Sequence, residues 1–189
     1  MRAVDAPFNN RSCFWGLRGT PQARTVLTAG LRFAKENRPR TDERQTGRVE
    51  RGPVWAGVMG VRRCPVREIQ GRDIPKEPGV YIWFRNGAPV YVGKASGVSG
   101  LRSRLRAHRQ TGQDLSRSTL RSWVAVEQLG LERSVTRARP SIMTAEQIRV
   151  VNDWLSGCEL RWVICETRAD ADRLEAALRE EWRPPLNHD

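Results

Sequence analysis

Residues 79–95, GVYIWFRNGAPVYVGKA, set two runs of strand-forming residues on either side of an Asn86-Gly87 pair. Asn-Gly between apolar runs is the strongest short-range signal for a β-hairpin, because both residues tolerate the positive φ of a tight turn. Pro89 has no N–H to give to a sheet, so the second strand belongs at an edge or begins there. Two registers are open. A two-residue loop, Asn86-Gly87, sets Tyr81 against Val92 and Tyr91 against Ile82, with the phenols on opposite faces. A three-residue loop, Arg85-Asn86-Gly87, sets Tyr81 directly across from Tyr91. Local turn preference does not choose between them, and only the second makes a site.

The rest of the chain is organised around this hairpin. LRSRLRAHRQ, from Leu101, has helical period, STLRSWVAVEQLG forms a second helix ended by Gly130, and TAEQIRVVNDWLSG carries a capping-box pair at Thr144 and Gln147. ELRWVICE alternates as a strand should, and TRADADRLEAALREEW is a helix capped by Thr167, with Leu174, Leu178 and Trp182 on one face and Glu180 and Glu181 pointing further out. The expected fold is α+β: a small three-stranded antiparallel sheet flanked by helices, with a helical insertion at about 110–157. Residues 1–58 are Arg-rich, and the stretch from Phe33 to Gly52 has almost no apolar side chain after Phe33, so 1–58 is expected to form an unstructured leader. The domain then covers 59–189, with order expected from about Val66.

Charge narrows the partners. The chain has 33 basic and 21 acidic residues, a formal net charge of +12 and a pI near 11.0. Such a surface is drawn to polyanions, nucleic acid foremost. No run of apolar residues reaches membrane-spanning length, and the first residues lack the apolar core of a signal peptide, so the expected setting is the cytoplasm, with no membrane partner. The four cysteines, Cys13, Cys64, Cys158 and Cys165, are scattered without a CxxC pair, which argues against a zinc site or a disulfide framework.

On a helical wheel with Leu101 at zero, Leu105 lies near +40°, His108 near −20° and Arg104 near −60°, while Arg102, Arg106 and Arg109 fall at about +80° to +140°. Arg104 and His108 therefore edge the buried stripe, and the other three arginines are read as solvated and suited to contact a nucleic-acid backbone. In the following helix Arg117 and Arg121 are read in the same way, while Trp123 and Trp154 are read as packing residues. An arginine at a core edge needs an anion, whether a carboxylate or a bound phosphate. Glu175 borders the apolar face of the last helix, and its carboxylate is the hard oxygen ligand that a magnesium ion takes.

In series, Gly79-Val80-Tyr81, Tyr91-Val92-Gly93 followed by Lys94, Arg104, the Glu175 helix and the terminal RPPLN resemble the GIY-YIG nuclease superfamily over residues 75–189. The resemblance implies a metal-dependent endonuclease that hydrolyses DNA, rather than RNA, with one Mg2+ or Mn2+ ion. It implies that Tyr81 and Tyr91 stand at the scissile phosphate, one of them as general base or as orienter of the attacking water, with Lys94 and His108 as helpers. Arg104 would stabilise the phosphate charge, Glu175 would hold the metal, and Asn187 would tie the chain end near the site, with Gly79 and Gly93 in support. The alternative is a non-catalytic nucleic-acid-binding module on the same fold. The catalytic reading requires the three-residue hairpin loop.

Overall fold

The structure is a computed structural model and describes residues 52–188. In chain order the elements are α1 (Pro53–Met59), β1 (Cys64–Pro65), two 3-10 turns (Val66–Glu68 and Gly71–Asp73), β2 (Gly79–Arg85), β3 (Ala88–Ala95), α2 (Gly100–Arg109), α3 (Thr119–Leu129), α4 (Arg133–Thr136), α5 (Ala145–Ser156), β4 (Glu159–Ile164) and α6 (Arg168–Glu181). The sheet is antiparallel in the order β1-β4-β2-β3 and so has four strands rather than three, the short β1 pairing Cys64 with Leu160. β1 was hidden in the sequence because two residues carry no periodicity.

Both faces of the sheet are covered. Tyr81, Trp83, Tyr91, Leu160 and Trp162 point to one side, under α2, α3 and α5. Val80, Ile82, Phe84, Val92 and Val163 point to the other, under α1 and α6. The alternation along each strand sorts the side chains between these two cores. Helix starts follow their capping residues: Thr144 and Thr167 each form a reciprocal capping box with Gln147 and Asp170, and Ser118 accepts from the Arg121 N–H. Gly130 closes α3 at φ 63°. Among the described residues no helix is long and apolar enough to cross a membrane.

The boundary drawn between residues 58 and 59 runs through α1 and needs correction. Trp55 is fully buried, its indole donates to the carbonyls of Leu178 (2.8 Å) and Trp182 (3.0 Å), and its ring meets Trp182 edge-on at 5.3 Å. In return Glu181, expected to point outward, accepts from the N–H groups of Val54 (3.1 Å) and Trp55 (2.8 Å). The start of α1 and the end of α6 thus satisfy each other's unpaired backbone groups, and the glutamate also favours the positive end of the α1 dipole. Residues 52–58 belong to the packed unit, and order begins before Val66; the rest of the expected leader lies outside the described residues. Replacing Trp55 by Ala is expected to cost about 3–5 kcal/mol in denaturant unfolding. By the same contact, a chain beginning at Gly52 should keep the melting temperature of one beginning at Arg51, whereas a chain beginning at Met59 should melt several degrees lower.

Candidate active site around the tyrosine pair

The hairpin takes neither expected register. Asn86 and Gly87 have φ of 50° and 77°, which is a two-residue loop, and Arg85 pairs with Ala88 and Phe84 with Pro89. Continued unchanged, that pairing would put the tyrosines on opposite faces. Between Trp83 and Phe84 the register shifts, so that Trp83 pairs with Tyr91 and Tyr81 with Gly93, leaving Val90 as an extra residue in β3. The bulge turns Tyr91 over to the face of Tyr81. The three-residue loop and the direct Tyr81–Tyr91 pair are therefore wrong, yet the rings share a face as diagonal neighbours, with centroids 6.3 Å apart.

Gly93 sits opposite Tyr81 because nothing larger fits: a β-carbon there would lie 2.5 Å from the Tyr81 hydroxyl. Gly79 opens β2 between Ala95 and Ile164. Asn187 holds the outer edge of β3 by accepting from the Val92 N–H and donating to its C=O, each at 2.7 Å. Leu186 donates to the C=O of Val90, the bulged residue, at 2.9 Å.

Under the sheet, α2 delivers Arg104 and His108 to Tyr81. The Arg104 Nε donates to the Tyr81 hydroxyl at 3.2 Å, and His108 Nε2 lies 2.7 Å from the same oxygen. His108 Nδ1 lies 2.7 Å from Ser118 Oγ, which also accepts from the Arg121 N–H that it caps. Burial, with the charges of Arg104 and Arg121 added, holds the His108 pKa well below its ordinary value, so the ring is neutral and has one donor and one acceptor. If the ring donates to Ser118, that buried hydroxyl has a proton with no acceptor in view. If Ser118 donates to Nδ1, then Nε2–H donates to Tyr81, every group is matched, and the Tyr81 proton turns toward Tyr91. Burial raises both phenols above their usual pKa; Arg104 opposes the rise in both, and a hydrogen bond from Tyr81 opposes it in Tyr91. Burial pulls the Arg104 pKa down, but the two phenols outweigh it and the net shift is upward.

Glu175 and Lys94 approach from the other side of β3. Lys94 lies on the face toward α6, where its Nζ is 3.1 Å from Asp172 and 3.8 Å from Glu175. Glu175, with 11 % of its side chain exposed, also faces Arg179 at 3.4 Å, and its charge helps to raise the Tyr91 pKa. The expected residues thus fall into two adjacent groups around the edge strand, Tyr81, Tyr91, Arg104 and His108 on one face and Lys94 and Glu175 on the other. Asp172, Glu175 and Arg179 follow a helical period, so their shared face was readable; only Glu175 was singled out.

Other arginine readings change. Arg121 is fully buried, donating to Gly112 O (2.7 Å) and Asn152 Oδ1 (3.0 Å), and cannot reach a nucleic acid. Arg102 donates to Ile74 O at 2.7 Å, and Arg109 donates to Ile69 O and Val66 O, so neither is a loose solvated charge; Arg106 is exposed, and Arg117 is largely so. Arg133, missed in the sequence because the insertion must fold back to place it, stacks over Trp123 at 4.1 Å, with Nη1 buried without a hydrogen-bond partner; burial and Arg137 lower its pKa, and Tyr91 opposes that shift. Trp123 and Trp154 are half-buried against the core, as their packing reading required.

The neutral His108 makes stability depend on pH. Its folded pKa lies below its unfolded value, so between these two the unfolded chain binds more protons, and stability falls as pH drops from about 7 toward 5.5. Urea midpoints across that window should fall for the wild type and stay flatter for His108→Gln. A second expected outcome is that Gly93→Ala lowers the melting temperature and disturbs Tyr81, readable as a changed tyrosine ring signal in NMR.

Comparison with known proteins follows the same residues. The GIY-YIG catalytic domain matches residues 73–189, more than half of the chain. The N-terminal endonuclease domain of UvrC from Thermotoga maritima, in a crystal structure with its catalytic magnesium, is 25 % identical, with 61 % of this chain and 88 % of that chain covered at a TM-score of 0.34. A point mutant of that domain bound to its divalent cation is 26 % identical with the same coverage and TM-score. No curated protein matches the chain. On the sequence match over residues 73–189, the chain belongs to the GIY-YIG nuclease domain family.

Proposed function

We propose that the protein is a metal-dependent endonuclease that hydrolyses phosphodiester bonds in DNA, with Tyr91 as the residue that meets the attacking water. The observation that carries this reading is the hydrogen-bond chain Ser118–His108–Tyr81, joined at Tyr81 by Arg104 and directed at Tyr91. Tyr81 is fully enclosed and its oxygen already takes two donors, so it positions its neighbours. Tyr91 keeps 6 % of its surface open. Once deprotonated, its oxygen accepts the proton of the attacking water, and the Tyr81 hydroxyl and Arg104 both favour that ionised form. Arg104, half-buried and permanently charged, presents its remaining N–H groups to the phosphate as negative charge builds on it.

Glu175 suits a hard cation. Its carboxylate is nearly enclosed, its two cationic neighbours stand at 3.4 and 3.8 Å, and among the described residues no three His, Cys, Asp or Glu side chains converge. One carboxylate, with water and phosphate oxygens completing the shell, is the donor set that magnesium or manganese accepts and that structural zinc does not. Such an ion supplies Lewis-acid stabilisation of the leaving oxygen. Lys94, paired with Asp172, holds positive charge beside Glu175.

The test is cleavage of plasmid, branched, single-stranded and tRNA substrates with magnesium or with chelator. Nicking of DNA that stops with chelator and falls at least about 100-fold in Glu175→Ala and in Arg104→Ala is the expected result. Equal nicking by wild type and Glu175→Ala removes the assignment, and tight binding without cleavage favours the non-catalytic module. The wild-type rate should climb about tenfold per pH unit from neutrality toward the raised Tyr91 pKa, a slope that Tyr91→Phe abolishes and Tyr81→Phe leaves in place at a lower rate.

A further inference from the structure

On the flank of α2 turned away from Arg104, a groove of about 830 Å³ is lined by Arg72, Arg102, Arg106, Arg109 and the turn Gln110–Gly112, with no acidic residue in its wall. Its shape is built rather than incidental. Arg102 and Arg109 are anchored through carbonyl oxygens of Ile74, Ile69 and Val66, which fixes their guanidinium planes while leaving N–H groups unused. The far wall is held by Arg121, which binds Gly112 O, and by Asn152, which binds Thr111 O at 3.0 Å. Arg72 carries one weak tie, accepting through its carbonyl from Arg102 at 3.4 Å; the guanidiniums of Arg72 and Arg106 meet no carboxylate among the described residues. Asp73 offsets part of the charge at Arg109, and the unused N–H groups of the guanidiniums suit an anion with several oxygens.

We propose that this groove binds a phosphate of the nucleic-acid strand away from the bond that is cut, so that the substrate crosses α2 with one phosphate at Arg104 and another among Arg72, Arg102, Arg106 and Arg109. This rests on the nuclease reading for its substrate and adds a second point of attachment to it. The groove and Arg104 lie on opposite sides of a helix about 10–12 Å across, so a strand that reaches both passes over α2. Two fixed points hold a strand's direction as well as its position, whereas the site alone holds one phosphate.

The experiment uses the full chain with chelator present, so that binding is read without cleavage. A fluorescent duplex is titrated by anisotropy at several salt concentrations with wild type, Arg72→Gln/Arg106→Gln, and Arg149→Gln as a control for net charge, since Arg149 is exposed on α5 beside Glu146. Arg72 and Arg106 are chosen because their side chains hold no backbone, and melting temperatures check that the double variant is folded. The expected result is a salt slope lower by about one in the double variant, with equal weakening on unrelated sequences, and a smaller change in the control. A slope unchanged in the double variant, or reduced equally per charge in Arg149→Gln, overturns the groove. Saturable binding of pyrophosphate that the double variant loses, with an unchanged DNA slope, also overturns it and assigns the groove to a small phosphorylated ligand. A wild type that binds with the expected slopes yet cuts nothing in magnesium keeps the groove and sinks the nuclease reading; one that cuts while the slopes do not move does the reverse.

Discussion

The site depends on one surplus residue. Val90 bulges out of the β2–β3 pairing, and without it Tyr91 would lie in the core beneath α6. A bulge in an edge strand leaves backbone groups unpaired, and here the chain end takes them: Leu186 donates to Val90, and Asn187 pairs with both polar groups of Val92. The tail therefore acts as a partial fifth strand made of one backbone N–H and one carboxamide. Asn187 is bonded to Val92, the residue after Tyr91, and that ties the end of the described chain to residues 95 positions earlier.

Around that edge, charge is arranged asymmetrically. The tyrosine face is dry and holds a neutral imidazole beside a permanently charged arginine. The α6 face alternates carboxylate and cation, Asp172, Lys94, Glu175 and Arg179. Burial raises the cost of ionising either phenol, and the arginine and the donated hydrogen bond recover part of that cost on Tyr91. Enclosure thus sets two chemically identical side chains apart: Tyr81 is wholly buried, and Tyr91 reaches the rim.

What could be read in the sequence was whatever local chemistry decides. The Asn-Gly turn, the capping boxes at Thr144 and Thr167, the left-handed stop at Gly130 and the placement of Arg104 and His108 at the edge of a stripe all depend on residues within one or two turns. The register escaped because the partner that stabilises the bulge lies at Leu186, far from the hairpin. The arginines misled for a related reason. A wheel separates flanks but does not show that Arg102 and Arg109 find carbonyls in the preceding turns, or that Arg121 is sealed under α5. Trp55 was lost in an Arg-rich context because its partners are more than a hundred residues away.

That last separation has a kinetic side. The clasp between α1 and α6 joins residues 123 to 127 positions apart, and Asn187 reaches back 95 positions to β3. Contacts of such span close late, since the intervening chain must be gathered first. During synthesis the hairpin and α2 emerge and can bring Tyr81, Arg104 and His108 together well before the carboxylate helix exists. Among the described residues α1 is made long before its partner α6, and Glu175 joins Tyr81, Arg104 and His108 only once α6 has been made.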